Sequence, residues 1–359
     1  MRKALSLAKR GGRAVRPNPR VGAVLVKGGR ILAAGYHSRF GGPHAEVKVL
    51  KKAGHLAKGA TLYVTLEPCS VQGKTPPCVD EIIRRGVKRV VIGCLDLNPS
   101  TRSRAPKILK KAGLKIEVGI LEKECRELNR DFFIWVTEAR PYTTLKLALS
   151  LDGRIAARSG DSRWISGPKS RRFTHFLRSQ SDAVLVGINT VLRDDPRLTV
   201  RMGYSNPDLK KIILDSRGRI PLSARVLKGR SAGKTVVATT AAAPSEKMKK
   251  IVGRGGNRIK VPSRGNRTSL KFLFRKLARE GIMRVLVEGG GEVAASLLAD
   301  RLVDEVHFFI APIILGGKAA VPAIGGRGVD KVKGAYCLTD VKVSRSGPDI
   351  HVQGCVGYR

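Results

Sequence analysis

The sequence has few cysteines, few aromatic residues and no long apolar run. Six cysteines in 359 residues do not make a disulfide scaffold, so we expect a reducing, cytoplasmic environment. No apolar stretch approaches the roughly 20 residues that span a bilayer, so we expect no membrane partner. The basic N-terminus lacks the apolar stretch of a secretory signal and is interpreted as an amphipathic helix with Ala4, Leu5, Leu7 and Ala8 on its inner side.

Acidic residues are also scarce relative to basic ones. The chain has 69 Lys and Arg against 28 Asp and Glu, a formal net charge of +41. Both halves are basic, and such a field attracts nucleic acid, phosphorylated metabolites or dinucleotides. A basic bias shared by all proteins of the source organism would give the same numbers, so charge alone selects no partner.

The length predicts two domains, with the boundary at Arg140-Pro141. We expect a first domain over residues 1–139 with the order β-β-α-β-α-β-α-β, an α/β sandwich, ending in one helix over 121–136. Residues 140–359 predict a second α/β domain of seven or eight strands with interleaved helices. Within it, 245–266 is rich in Lys, Arg and Gly and is interpreted as a mobile surface stretch.

The strongest chemical signal is a set of metal-ligand residues in the first domain. It comprises His44 in Pro-His-Ala-Glu, Cys69 in Glu-Pro-Cys and Cys78 in Pro-Cys. One His and two Cys suit zinc, and three protein ligands leave an open fourth position, as in catalytic sites. Glu46, two residues from His44, is expected to carry protons for a deaminase. A zinc site without catalysis is the alternative.

The spacing of the two cysteines narrows this signature. The usual pattern is P-C-x-x-C, whereas eight residues separate Cys69 from Cys78. The runs 17–22, 35–46 and 65–78, the last ending in Gly-Lys-Thr-Pro-Pro-Cys, resemble the bifunctional riboflavin-biosynthesis deaminase-reductase family. The resemblance continues across the second part of the chain.

This resemblance implies two folds and two activities. The N-terminal domain would be a cytidine-deaminase-like three-layer sandwich that deaminates 2,5-diamino-6-ribosylamino-4(3H)-pyrimidinone 5′-phosphate. The C-terminal domain would resemble dihydrofolate reductase and use NADPH to reduce the ribosyl group to ribityl. One zinc ion per chain would be held by His44, Cys69 and Cys78, with Glu46 as proton carrier.

The resemblance also implies residues that hold the deaminase substrate. They are Asn18, His37, Lys74 and Asn98. Val71, Leu97 and the Arg-rich loop 100–106 differ from the family's usual pattern at substrate-loop positions. We expect Arg102 or Arg104 to contact the substrate phosphate.

A second site is indicated by the run Val-Leu-Val-Glu-Gly-Gly-Gly-Glu at 285–292. A strand, then glycines, then a helix N-terminus is how backbone amides cradle phosphate, although a plain glycine turn fits the same residues. The resemblance implies NADPH contacts at Ala148, Trp164, Thr190, Asp194, Ser216, Gly290, Gly291, Glu292, Val293, Ala294, Ala295 and Ser296. It implies reductase substrate contacts at Lys146, Ser162, Arg178, Leu198, Arg201 and Glu288. Lys146 and Glu288 are our candidates for holding the sugar.

The expected partners are phosphorylated pyrimidines and other copies of the chain in a homo-oligomer, without nucleic acid despite the basic charge. Three alternatives stay open. One is a nucleic-acid base deaminase with an accessory domain, which the charge favours. Another is a zinc-stabilised binding protein. The third is an active reductase joined to an impaired deaminase half.

Overall fold

The computed structural model describes residues 1–99, 101–265 and 267–358. The chain divides into two compact units, Met1–Ala139 and Arg140–Arg359. Among the described residues, no helix combines the length and the apolar character needed to cross a membrane.

The first unit is a five-stranded sheet with helices packed on it. Its strands are β1 (Gly22–Lys27), β2 (Arg30–Tyr36), β3 (Thr61–Leu66), β4 (Arg89–Cys94) and β5 (Lys115–Val118), in the order β2-β1-β3-β4-β5. Its helices are α1 (Arg2–Lys9), α2 (Ala45–Ala53), α3 (Cys78–Arg84), α4 (Arg104–Lys111), α5 (Glu122–Leu128) and α6 (Arg130–Glu138). Because β3, β4 and β5 are parallel, the loops after β3 and β4 emerge at the same edge.

The core of this unit follows from apolar spacing. Helix α2 buries Val49, Leu50 and Ala53 on one face, and helix α4 buries Ala105 and Leu109 at a four-residue interval. The predicted element order is confirmed. The expected inner face of α1 is also confirmed, except that Leu7 is only partly buried.

The single helix expected over 121–136 is wrong. Two helices, α5 and α6, meet at Asn129, whose backbone leaves the helical region. The buried Asn129 side chain accepts from the Arg20 N–H and donates to the Arg20 carbonyl. This tertiary pairing stabilises the break.

The second unit is built on a nine-stranded, mostly parallel sheet with the order β11-β10-β9-β8-β14-β6-β15-β18-β17. Its strands are β6 (Tyr142–Ser150), β8 (Ala183–Gly187), β9 (Lys210–Leu214), β10 (Thr235–Thr239), β11 (Asn257–Lys260), β14 (Arg284–Val287), β15 (Glu305–Ala311), β17 (Cys337–Ser346) and β18 (Asp349–Gly357). Two short ladders pair β7 (Arg154–Ala156) with β16 (Val321–Pro322) and β12 (Ser263–Arg264) with β13 (Arg267–Thr268). The helices are α7 (Pro168–Gln180), α8 (Ile188–Asp194), α9 (Ser245–Gly253), α10 (Leu270–Arg279) and α11 (Gly291–Ala299).

The expectation of a mobile stretch over 245–266 is wrong. It contains α9 and β11, because Met248, Ile251 and Ile259 pack into the hydrophobic cores of this unit. Asn266, the last residue of that expectation, lies outside the described residues. Strands β17 and β18 form a closing hairpin, with Ser346 paired to Asp349.

Candidate functional site

The three candidate metal ligands lie together at one edge of the first sheet. His44 precedes α2, Cys69 follows β3 and Cys78 begins α3. Nδ1 of His44 lies 3.2 Å from Cys78 Sγ and 3.4 Å from Cys69 Sγ. All three ligand atoms lie within 4.8 Å of one another, and no other such group was found in the described part of the chain. The three metal ligands predicted from the sequence therefore lie together in the fold.

The environment of this cluster favours a thiolate. Hydrogen bonding from the Cys78 thiol lowers the pKa of Cys69. The same hydrogen bond, with burial, raises the pKa of Cys78. The main-chain N–H of Cys78 also donates to Cys69 Sγ at 3.2 Å. A cluster that already carries one thiolate at neutral pH suits a metal ion whose ligands must be deprotonated.

The Glu46 carboxyl lies beside the cluster, within hydrogen-bonding reach of the Cys78 thiol. Its side chain is 3% exposed, and its Oε2 is buried with no hydrogen-bond partner. Burial, followed by the charge of Cys69, raises the pKa of Glu46 to about 7. The His/Cys/Cys donor set and this unpartnered oxygen fit a zinc ion with one position left for water.

A cavity of about 380 Å³ opens onto these residues. Its lining includes His44, Glu46 and Cys69 and all four residues expected to hold the deaminase substrate, namely Asn18, His37, Lys74 and Asn98. Sequence reasoning missed its aromatic wall, which consists of Phe40, Phe132 and Trp135. Phe132 and Trp135 lie on α6, three and six residues beyond the helix break at Asn129, and only the fold brings them here.

His37 and Asn18 form a fixed pair in this cavity. Nδ1 of His37 lies 3.1 Å from the Pro43 carbonyl, which can only accept, so Nδ1 carries the proton. Nε2 then accepts from the Asn18 amide at 3.2 Å. Burial lowers the pKa of His37, which keeps this tautomer neutral.

The loop that carries Asn18 is anchored by a buried carboxylate. Asp131 accepts from Arg16 at 3.2 Å and from Arg20 at 2.6 Å.

At the cavity mouth, the Lys74 ammonium lies 4.1 Å from the centre of the Phe40 ring.

Arg102 and Arg104, expected to contact phosphate, are exposed and lie outside the cavity lining. Val71 lines the cavity, and Leu97 is partly buried between Asp96 and Asn98, which also line it. Ser100, in the same expected loop, lies outside the described residues.

The second unit has its own cavity of about 450 Å³. It lies at the carboxyl ends of the neighbouring parallel strands β6, β8 and β14, where open α/β sheets bind ligands. Of the expected cofactor contacts, it is lined by Ala148, Thr190, Asp194, Gly290, Gly291, Glu292 and Val293. Of the expected substrate contacts, it is lined by Lys146, Ser162 and Glu288.

The glycines before α11 shape this cavity. A Cβ at Gly291 would lie 2.5 Å from the Pro322 carbonyl oxygen, so only glycine fits there. A Cβ at Gly290 would meet nothing within 4 Å, so the absence of a side chain leaves open space in the lining. A glycine-lined helix start facing a cavity is suited to a phosphate group.

Lys146 and Glu288 line the cavity, and Arg178 pairs with Glu288 from behind the lining; all three side chains are partly buried. Arg178 donates to both Glu288 oxygens, from Nε at 2.5 Å and from Nη2 at 2.9 Å, and its Nη1 donates to the Thr199 carbonyl at 2.9 Å. Burial acts to raise the pKa of Glu288, but Arg178 and Lys146 hold it below its ordinary value. Burial lowers the pKa of Lys146. The Arg178 guanidinium thus orients the Glu288 carboxylate, and its hydrogen bonds go to Glu288 and to the Thr199 carbonyl.

The other expected reductase residues lie outside the lining of this cavity. They are Trp164, Ser216, Ala294, Ala295, Ser296, Leu198 and Arg201, together with Arg178. Ala294 and Leu198 are buried in hydrophobic cores. Trp164 is 73% exposed, with the Arg171 guanidinium 4.6 Å from its ring centre.

Three of these residues have hydrogen bonds within the protein. The Ser216 hydroxyl accepts from the Thr268 N–H, and the Ser296 hydroxyl donates to the Glu292 carbonyl. The exposed Arg201 donates its main-chain N–H to His175. Sequence reasoning also missed Asn189 and Arg193 on α8, which line the cavity. The sequence feature that could have identified them is the buried strand β8, which ends in Gly187 just before them, because ligands bind beyond the carboxyl ends of such strands.

Two family models match the chain. Residues 1–94 match the cytidine and deoxycytidylate deaminase zinc-binding region, and residues 141–352 match the RibD C-terminal domain. These matches confirm the expected fold class for both parts of the chain.

Relatives match nearly the whole chain. The riboflavin biosynthesis protein RibD of Aquifex aeolicus (strain VF5) is 44% identical over 350 residues, covering 98% of this chain and 96% of the relative. RibD of Escherichia coli (strain K12) is 39% identical over 368 residues, covering 98% and 96%.

Solved structures agree. RibD of Acinetobacter baumannii has a TM-score of 0.88 at 35% identity, covering 99% of this chain and 97% of that one. A Thermotoga maritima protein, described as a diaminohydroxyphosphoribosylaminopyrimidine deaminase/5-amino-6-(5-phosphoribosylamino)uracil reductase, has a TM-score of 0.83 at 37% identity with the same coverage. The resemblance read from the motifs is confirmed, and the chain belongs to the RibD family of riboflavin biosynthesis proteins.

Proposed function

We propose that the protein catalyses two steps of riboflavin biosynthesis. The unit 1–139 deaminates 2,5-diamino-6-ribosylamino-4(3H)-pyrimidinone 5′-phosphate, and the unit 140–359 uses NADPH to reduce the ribosyl group of the product to ribityl. The observation that carries the proposal is the convergence of His44, Cys69 and Cys78 beside the unpartnered Oε2 of Glu46 in an open cavity.

The residues of the first cavity divide the work of deamination. His44, Cys69 and Cys78 would hold zinc, which supplies Lewis-acid activation of water at neutral pH. Glu46 accepts a proton from the attacking water and donates it to the ring nitrogen. It then accepts the proton of the newly added hydroxyl and donates it to the departing amino group, which leaves as ammonia. A carboxyl with a pKa near 7 can do both at neutral pH. Overall, water replaces the amino group, and ammonia and the keto pyrimidine leave.

The remaining cavity residues would hold the substrate. Asn18 and Asn98 offer amide hydrogen bonds, and the neutral His37 fixes the orientation of Asn18. Lys74 provides a cation at the cavity mouth for the 5′-phosphate. The structure supports this assignment by placing all four side chains around one cavity.

The second cavity needs mainly binding and orientation. NADPH supplies the hydride, and the protein positions it against the sugar. The helix start at Gly290–Gly291 offers backbone N–H groups to a cofactor phosphate. Lys146 and Glu288 would bind the opened sugar, with Glu288 held in place by Arg178.

Two further parts of the proposal concern the whole protein. The described cysteines are all free, which supports a reducing, cytoplasmic location. A homo-oligomeric state remains a prediction, and sedimentation of the purified chain would test it.

The two activities can be separated by metal removal. We expect zinc chelation to stop ammonia release from the diamino pyrimidine, because the deaminase alone depends on the His/Cys/Cys cluster. Oxidation of NADPH with the deaminated substrate should continue at its original rate. A coupled assay follows ammonia and NADPH separately, and restored zinc is the control. Ammonia release that persists after complete chelation, or reduction that stops with it, would contradict the proposal.

A further inference from the structure

Glu67 is a buried carboxylate that the chemistry described above does not use. It follows β3 directly, two residues before Cys69, and lines the cavity although it is only 6% exposed. Its main-chain N–H donates to the Cys94 carbonyl at 2.9 Å, which fixes its backbone to the end of β4. The side chain therefore starts from a rigid point next to the metal cluster.

Its two oxygens accept three main-chain hydrogen bonds from one loop. Oε2 accepts from Asp96 at 3.1 Å and from Ser103 at 3.0 Å, and Oε1 accepts from Ala105 at 3.0 Å. Ser103 is the residue before α4, and it makes no side-chain cap of its own. Glu67, which follows β3, thus caps the N-terminus of α4. A negative charge is favoured at a helix N-terminus.

The loop between these bonds carries a cavity residue. Asp96, held at its N–H by Glu67, accepts in turn from the Asn98 N–H at 2.9 Å and from the Thr101 hydroxyl at 2.8 Å. Asn98 lines the cavity. The position of Asn98 relative to Cys69 is therefore set by a short chain of bonds that begins at Glu67.

We propose that Glu67 is a positioning residue for deamination, which fixes the substrate-binding side of loop 96–105 relative to the metal cluster. This inference rests on the proposed function. Removing one acceptor leaves a buried N–H unpaired and loosens the loop, and small displacements of positioning groups weaken productive binding. Because Glu67 touches neither the reacting atoms nor the candidate ligand atoms, its loss acts on substrate binding and leaves the metal in place.

The variant Glu67→Gln tests the proposal with little change in size. The amide oxygen can still accept, whereas the amide nitrogen cannot, so at least one loop N–H loses its partner. We expect KM of ammonia release to rise about tenfold, with kcat reduced less than about threefold. Zinc content and the reductase kcat/KM of the same chain should stay at wild-type values. Glu124→Gln, at an exposed site in the same unit, is the matched control.

An unchanged KM, or loss of zinc from Glu67→Gln, would overturn the proposal. Wild-type ammonia release from the phosphorylated pyrimidine is measured first and tests the proposed function separately. If that release is absent, the proposed function fails, and hydrogen exchange decides the inference about the loop.

Hydrogen exchange of the full chain provides the second measurement. In the wild type, the amides of Asp96, Ser103 and Ala105 should exchange slowly, since each donates to Glu67. In Glu67→Gln, exchange of at least one should accelerate about tenfold or more, with the amides of β3 unchanged. The wild-type measurement stands even where the variant does not fold. Exchange of these wild-type amides at the rate of exposed loops would overturn the proposal.

Discussion

Glu46 and Lys211 are both buried ionisable side chains with a polar atom that finds no partner, but their surroundings differ. Glu46 opens onto a cavity beside the metal cluster. Lys211 is 3% exposed on β9, between Val184 and Thr235 of the neighbouring strands. Burial, with nearby Lys234 and Arg178, lowers its pKa to about 8. In the proposed function the unpartnered atom of Glu46 serves a reaction, whereas we expect that of Lys211 to lower stability.

Lys211→Met should therefore stabilise the protein. The pKa of Lys211 falls from 10.5 to about 8 on folding, and each unit corresponds to about 1.4 kcal/mol, so we expect a gain of about 3 kcal/mol at pH 7. Between those two pKa values the unfolded state binds more protons, so wild-type stability rises with pH over this window. The variant should lose that part of the rise.

Urea unfolding of the full chain at pH 7 to 10 measures both effects. Lys250→Met, at an exposed position of the same unit, is the control and should leave the pH dependence unchanged. A variant that is less stable than wild type at pH 7 would show that Lys211 has a favourable partner in solution.

Residue chemistry explains how much of the site the sequence revealed. His44, Glu46, Cys69 and Cys78 could be identified because their types and order carry the chemistry. Some of the residues implied by resemblance alone line the two cavities, whereas Leu198 and Ala294 pack into hydrophobic cores. Side-chain direction depends on how strands and helices pack, which linear order does not contain. For the same reason the sequence did not reveal the role of Glu67, whose hydrogen-bond donors lie 29 to 38 residues away in the chain.

At the scale of elements, α4 and its flanking loops have an unbalanced charge. Between Asp96 and Glu117 the chain has six basic residues and no acidic one: Arg102, Arg104, Lys107, Lys110, Lys111 and Lys115. In the described part of the chain, none of the three α4 lysines is in an ion pair. This basic segment follows the loop that lines the deaminase cavity. It can raise the local concentration of a phosphorylated substrate without contacting it.

We expect the triple change of Lys107, Lys110 and Lys111 to Gln to raise KM of deamination about threefold to tenfold at low salt. The Debye screening length shortens to about 3 Å at 1 M salt, so the triple variant and the wild type should have the same KM at that salt concentration. Steady-state kinetics across ionic strength measures this.

The same change at Lys247, Lys249 and Lys250 of α9 removes an equal charge from the other unit and is the control. A KM difference that persists at 1 M salt, or equal effects of both triple variants, would exclude electrostatic attraction by α4.

Element prediction succeeded where local pattern decides and failed where distant contacts do. The predicted element order of the first unit is confirmed because local apolar spacing and a following loop define elements such as helix α2 and strand β3. The break between α5 and α6 depends on Asn129 pairing with Arg20, 109 residues away. Helix α9 was hidden by its basic composition, although Met248 and Ile251 bury one face of it.

At the scale of the whole molecule, two compact units carry two different kinds of cavity. The cavity of the first unit combines soft metal ligands with a buried carboxyl, and that of the second combines a glycine-lined helix start with Lys146 and with Glu288, which Arg178 holds. Family relatives cover both units, since the Aquifex aeolicus match spans 98% of the chain. We therefore assign each reaction to one unit, with separate residues for each.

The most direct test of this central claim is the pair of activities of Glu46→Gln. The account predicts wild-type zinc content, since His44, Cys69 and Cys78 remain, and a loss of ammonia release of about 10²–10⁴-fold. Reduction of the deaminated substrate by NADPH should stay at the wild-type rate. Ammonia release within tenfold of wild type in the zinc-loaded variant, or loss of both activities together, would contradict the account.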